Sequence, residues 1–174
     1  QAYVARTFSA EPRDRARPVI EDVRAPFGER VRRLEWMSDS TRAQALAKLG
    51  RMGLKVGYPD RWRDYSRLQV AEGPFVLNLQ RASAFDWDRV VDRPGSPVDK
   101  TEWEMTVPTV NAYYDPTKNE MVYPAGALAP QTFDLAADDA ANYGSLGASW
   151  VWHELTHGFV DGGRHYDAEG NLGD

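Results

Sequence analysis

The stretch SLGASWVWHELTHGFVDGGRHYDAEGNLGD (residues 145–174) holds all three of the chain's histidines, two of them four residues apart with a glutamate beside the first. On an α-helix, positions i and i+4 sit one above the other on the same face. His153 and His157 can therefore each point one nitrogen at a single tetrahedral ion. Glu154 falls about 100° around the helix from His153, near enough to reach a water on that ion without ligating it. The spacing predicts a catalytic zinc centre. Zinc lowers the pKa of its water toward roughly 7, and the glutamate takes the water's proton as it attacks a carbonyl and hands it to the leaving amine. The competing reading is a solvated helix face that carries these residues without a metal. Gly144, Ser145, Gly147 and Ala148 favour the first, because small residues allow a helix to pack closely at the expense of helix propensity. A long helix is expected from about Asp138 to Val160.

Catalytic zinc usually takes three protein ligands and leaves one position open, so a third ligand must be found. His165 lies eight residues after His157, whereas the compact HExxHxxGxxH arrangement needs about six. Asp161, Asp167, Glu169 and Asp174 are carboxylates within the same stretch, but DAEGN (167–171) reads more simply as a polar turn. The third ligand is expected elsewhere.

With 174 residues and 42% hydrophobic content, the chain can bury a core of its own. The formal charge is −5 and no face-sized Lys/Arg cluster stands beyond the mixed-sign run RDRAR (13–17), so nucleic acid is not an expected partner. There is no cysteine, so disulfides and thiolate metal sites are excluded and any metal rests on His, Asp or Glu. No run approaches the roughly 18 apolar residues of a membrane span, and the first residues lack the pattern of a signal peptide.

Apolar residues recur from Arg17 to Met37 as Ile20, Val23, Phe27, Val31 and Leu34, the period of one helix, with Pro18 in its first turn and a break at Pro26. Ser38 reads as the N-cap of a second helix over DSTRAQALAKLGRMG (39–53), with Ala43, Leu46, Ala47 and Leu49 inward and Gly53 at its end. LKVGYPDRW (54–62) is a short extended piece. A third helix is expected from about Gly73 to Asp92, with Phe75, Val76, Leu79, Ala82 and Val90 inward. RPGSPVDK (93–100) reads as a linker. Beyond it, TVPTVNAYYDPTKNEMVYPAG (106–126) is two β-rich runs around the turn Asp115–Asn119, a hairpin with Asn111 and Ala112 on its first strand. The fold class is mainly α with a small β hairpin or sheet, α+β.

Three segments, VNAYYDPTKNEMVYPAGAL (110–128), NYGSLGASWVWHELTHGF (142–159) and DGGRHYDAEGNL (161–172), resemble in this order the neprilysin and endothelin-converting enzyme family of zinc metallopeptidases. LEWMSDSTRAQALAKLGRMGLKVGYPD (34–60) is similar to the same family, so the likeness covers nearly the whole chain. It implies a thermolysin-like catalytic domain closed over by a larger helical domain. Residues 1–98 would be the C-terminal part of the helical domain and crossing segments, and residues 99–174 the N-terminal part of the catalytic domain. The resemblance implies one zinc ion per active site held by His153 and His157, Glu154 as the catalytic glutamate, and Asn111 and Ala112 as the substrate-holding pair. An extended peptide adding to a strand edge, with the Asn111 amide as donor and acceptor, would give that pair its role.

Two residues depart from the family's pattern. Trp152 stands where a glycine usually precedes the first histidine, and Val160 where the first of two aspartates would follow HGF, while Asp161 matches the second. The family's third ligand is a glutamate on a later helix, which lies beyond Asp174. The chain is thus expected to be a fragment lacking both flanks, a zinc-dependent endopeptidase of small peptides whose third ligand comes from companion fragments of the same enzyme. The alternative is a catalytically inactive peptide-binding pseudoenzyme or interaction protein. The family resemblance implies an extracellular or periplasmic location, with the cytoplasm as the other setting.

Overall fold

A computed structural model describes residues 1–160 and 162–173, and shows a mainly helical protein with one small mixed sheet. After α1 (Ala2–Thr7), the stretch expected as a broken helix from Arg17 to Met37 divides between two helices, the end of α2 (Ala10–Asp22) and α3 (Arg24–Arg32). Pro26 explains the break between the last two. It is the third residue of α3, where an N–H has no helical partner to lose, whereas in a continuous helix its ring would clash with the carbonyl of Asp22. Pro18 is not in a first turn as expected but inside α2, because that helix begins at Ala10. Burial of Ala16, Val19 and Ile20 offsets the cost of an interior proline. Ile20, Val23, Phe27 and Val31 are buried, so the apolar period was read correctly even where the helix was not continuous.

Ser38 caps α4 (Asp39–Arg51), its Oγ accepting the Thr41 backbone N–H at 3.2 Å. The inward face of α4 differs from expectation. Lys48 and Leu49 are buried with Ala45 and Leu46 half-buried, while Ala43 and Ala47 are exposed. Gly53 does not merely end the helix but begins β1 (Gly53–Gly57).

The hairpin forms as β2 (Tyr113–Asp115) and β3 (Glu120–Pro124), antiparallel with Tyr113 opposite Val122 and Asp115 opposite Glu120. β1 joins it in parallel on the other side of β3, giving the order β1-β3-β2. Every residue of the central strand β3 is buried. Asn111 and Ala112 lie immediately before β2 rather than on it.

The last helix begins near Asp138 as expected, and Asp138 proves to be its cap, its Oδ1 accepting the Ala141 N–H at 2.7 Å. It is not a uniform α-helix. A short α6 (Asp139–Asn142) widens into a π-helical segment (Tyr143–Val151) before α7 (Trp152–His157) completes it. Gly147 fits this wide turn against α2, where an added Cβ would lie 3.2 Å from Val23 Cγ2. Leu146, Val151 and Leu155 are fully buried, each worth about 1.5–3 kcal/mol of apolar transfer.

The chain forms two compact units, Gln1–Pro59 with Trp103–Asp174, and Asp60–Glu102. The first holds the sheet, with β1 and β3 drawn from either side of residues 98–99. The second is built on α5 (Phe75–Val91), where the Asn78 side chain bonds both the N–H and the carbonyl of Ala71, and Arg89 and Arg93 both pair with Glu102. The expected inward face of α5 is corrected here. Phe75 is 73% exposed and Val76, Leu79 and Val90 are also exposed, with Ala82 half-buried. The half-buried stripe is Asn78, Ala82, Phe85 and Arg89, and Asp60–Glu102 contains no second layer to cover the opposite face.

Candidate metal and peptide site

The last turn of the long helix brings His153 and His157 together. Their Nε2 atoms are 3.0 Å apart, with the rings perpendicular and their centroids separated by 4.6 Å. Two imidazole nitrogens bonded to one tetrahedral zinc at about 2.0–2.1 Å would stand about 3.3 Å from each other, so the pair fits the ion as two of its ligands. Both side chains face an open cleft of about 440 Å³, walled also by Ala148, Trp152, Thr156 and Val160. Thr156 returns its hydroxyl to the Trp152 carbonyl at 2.8 Å.

Glu154, beside the pair on the same helix, does not line that cleft and is only 5% exposed. Burial pushes its carboxyl above the usual range, against the lowering effect of the His153 and His157 rings and the Tyr114 backbone N–H. It therefore sits on the inner side of the helix, close enough to both rings and to the start of the hairpin to feel them.

Among the described residues no three metal-ligating side chains converge. His165 lies exposed in a single 3-10 turn (Gly163–His165), with Arg164 Nε 3.4 Å from its Nε2. Asp167 is the centre of a polar turn, its carboxylate accepting the N–H groups of Glu169 and Asn171 at 2.9 Å each and the Asn171 amide at 3.1 Å. Glu169 pairs with Arg51. Asp161 and Asp174 lie outside the described residues.

Trp152 is accommodated rather than disruptive. Its indole packs edge-on against Phe27 of α3 at 4.9 Å, and Phe27 in turn packs on Phe159 at 5.3 Å. Val160 is 39% exposed at the rim of the cleft.

β2 packs against α7 and pairs only with β3 among the described strands, so its other side is an edge. Asn111 is exposed just ahead of that edge, with its Oδ1 accepting the Ala112 N–H at 3.0 Å, and Ala112 is buried.

Sequence reasoning missed two residues behind the site, Lys48 and Asn119. Lys48 was legible in principle, since Ala45, Lys48 and Met52 recur at helical spacing and a lysine in a buried stripe is seldom there without a partner. Asn119 read only as a turn residue.

Two family models, both described as peptidase family M13, match residues 1–59 and 111–174, together more than half of the chain. An endothelin-converting enzyme homolog of Locusta migratoria is 36% identical over 98% of this chain and 24% of its own length. Endothelin-converting enzyme-like 1 of Homo sapiens is 37% identical over 98% of this chain and 23% of its own. The chain thus spans about a quarter of the length of these relatives. Among solved structures, the Mycobacterium tuberculosis zinc metalloprotease Zmp1 in complex with an inhibitor is 44% identical, with a TM-score of 0.89 over 99% of this chain and 26% of that one. PepO from Lactobacillus rhamnosis is 32% identical, with a TM-score of 0.90 over 99% of this chain and 28% of that one.

Proposed function

The chain belongs to peptidase family M13, the neprilysin and endothelin-converting enzyme family, and we propose that it supplies the zinc-binding helix and part of the substrate edge of a zinc-dependent endopeptidase of small peptides. The observation that carries this is the 3.0 Å approach of His153 Nε2 to His157 Nε2 beside a buried glutamate. A bound zinc ion would supply Lewis acidity to the scissile carbonyl and make water acidic enough to ionise near neutral pH. Glu154 is the general base. Its buried carboxyl beside both imidazoles takes a proton from the attacking water and returns it to the leaving amine. A third zinc ligand comes from outside this chain, from companion segments of the same enzyme.

Asn111 and Ala112 hold the substrate in this reading. The edge of β2 offers backbone groups to an extended peptide, and the exposed Asn111 amide adds a donor to the peptide backbone. Residues 1–98 belong with the C-terminal part of the helical domain and its crossing segments, and residues 99–174 with the N-terminal part of the catalytic domain. The described residues contain no helix long and apolar enough to cross a membrane. Family resemblance favours an extracellular or periplasmic setting.

The test is zinc content and chelator-sensitive peptide cleavage by an enzyme that contains this chain, with Glu154→Gln alongside. Glu154→Gln is expected to keep its zinc and lose cleavage by at least about 10²-fold, because an amide cannot accept the water's proton. Undiminished cleavage removes Glu154 from the mechanism. Zinc-free protein that still binds peptides would instead establish the catalytically inactive peptide-binding reading.

A further inference from the structure

Lys48 is 6% exposed, and its ammonium donates to the carbonyls of Gly163 at 2.6 Å and Tyr166 at 2.7 Å. Asn119 is fully buried. Its Nδ2 donates to Lys48 O at 3.1 Å and to Ala168 O at 3.0 Å, and its Oδ1 accepts the Tyr114 hydroxyl at 2.9 Å. Three carbonyls of the segment 163–168 are thus gripped by two side chains, one from α4 and one from the hairpin turn. The gripped segment is seated on the end of the histidine-bearing helix: a Cβ at Gly163 would fall 1.9 Å from the His157 carbonyl oxygen and 3.1 Å from Gly158 Cα. No slack separates the clasp from the backbone of the second histidine.

We propose that Lys48 and Asn119 are positioning residues for the metal pair, holding residues 163–168 against the backbone of His157 and so fixing that imidazole relative to His153. The proposal rests on the reading of His153 and His157 as zinc ligands. His157 is the last residue of α7, where a helix end frays unless something outside it holds the carbonyl side. A buried ammonium is suited to that task. Its donors satisfy two carbonyls of the 163–166 turn at once, and desolvation makes each of these charge-assisted bonds stronger than one in water.

The experiment uses an enzyme that contains this chain, with Lys48→Met, Lys48→Arg and Asn119→Gly. Zinc affinity is read by competition with a chromophoric chelator, and the imidazole 15N–1H spectrum is recorded without metal. Lys48→Met is expected to weaken zinc binding about tenfold, the usual scale for groups that orient metal ligands, and Lys48→Arg to recover to within about threefold. Lys48→Met should also shift or broaden the His157 ring signals while those of His153 stay in place. Asn119→Gly, which keeps the turn's backbone accessible, should weaken zinc binding in the same direction. A folded Lys48→Met protein with unchanged zinc affinity and unchanged His157 signals overturns the proposal. Should Lys48→Met not fold, unchanged affinity in Asn119→Gly overturns it. Wild-type enzyme that binds zinc no better than a His153→Ala/His157→Ala control refutes the zinc reading itself, and the His157 ring spectrum of the variants then decides the positioning role alone.

Discussion

Asn119 meets two demands at once, a left-handed backbone with φ of 49° and a buried amide that bonds both Lys48 O and Ala168 O. Asparagine tolerates that conformation better than most residues, and only its side chain has donor and acceptor at this reach. Two variants separate the demands. Asn119→Gly loses the amide bonds alone, whereas Asn119→Ala loses them and also strains the backbone. Alanine is expected to be less stable than glycine by about 1–2 kcal/mol in urea unfolding, the cost of left-handed backbone for a residue with a Cβ. Equal midpoints would show that the turn relaxes and that its conformation carries no strain. Tyr113 gives a second test at this scale. Burial pushes its phenol up to about 12, against the lowering effect of the Glu104 N–H that it accepts at 2.8 Å. Since the folded value lies above the ordinary value near 10, its contribution to stability is complete below about pH 10 and is lost as pH rises through about 12. Absorbance at 295 nm should show Tyr113→Phe removing a late-titrating tyrosine. Loss of one that ionises near pH 10 would contradict the burial argument.

Among the elements, what could be read ahead was what local chemistry determines. Ser38 was legible as a cap, because a short polar side chain before an apolar period has few other uses, and the last helix was legible as starting near Asp138. Ser38→Ala should cost about 1 kcal/mol by thermal unfolding and Ser38→Asp much less, since the carboxylate still accepts the Thr41 N–H. No change in Ser38→Ala would mean that α4 is held by Leu49 and Lys48 packing without its cap. The hairpin was legible from its turn, and His153, Glu154 and His157 from a spacing that means the same on any helix. What was not legible depended on the rest of the fold. Nothing in a 3.6-residue period announces the π-helical turns of Tyr143–Val151, within which Gly147 lies close to Val23. The parallel pairing of β1 with β3 joins residues more than 60 positions apart. The inward face of α5 failed for a related reason: Phe75, Val76 and Leu79 have the pattern of a core face, but pattern shows only that a face wants covering. A third ligand for the proposed zinc could not be read from this sequence, since His165 and Asp167 are committed to turns of their own.

For the molecule as a whole, the division into two units carries an energetic consequence. Gln1–Pro59 with Trp103–Asp174 contains the sheet and a long roster of residues buried to within a few percent, among them Ile20, Val56, Met121, Tyr123, Leu146 and Leu155. Asp60–Glu102 contains α5, which has no buried residue, and carries ion pairs of Arg61, Arg89 and Arg93 with Asp99 and Glu102, the Asn78 clasp on Ala71 and a half-exposed stack of Tyr65 on Phe85. Exposed ion pairs are worth about 0–1 kcal/mol each and weaken with salt. A unit of roughly forty residues without buried apolar side chains lies at the limit of independent stability. The backbone amides of α5 should therefore exchange with deuterium through local opening, well before those of β3 and of the helix Asp139–His157, which should exchange only near global unfolding. Raising salt should speed exchange in α5 and leave β3 unaffected. Protection of α5 equal to that of β3 in the isolated chain would show that its apolar face is covered in solution, and would overturn the assignment of the two units to different stabilities.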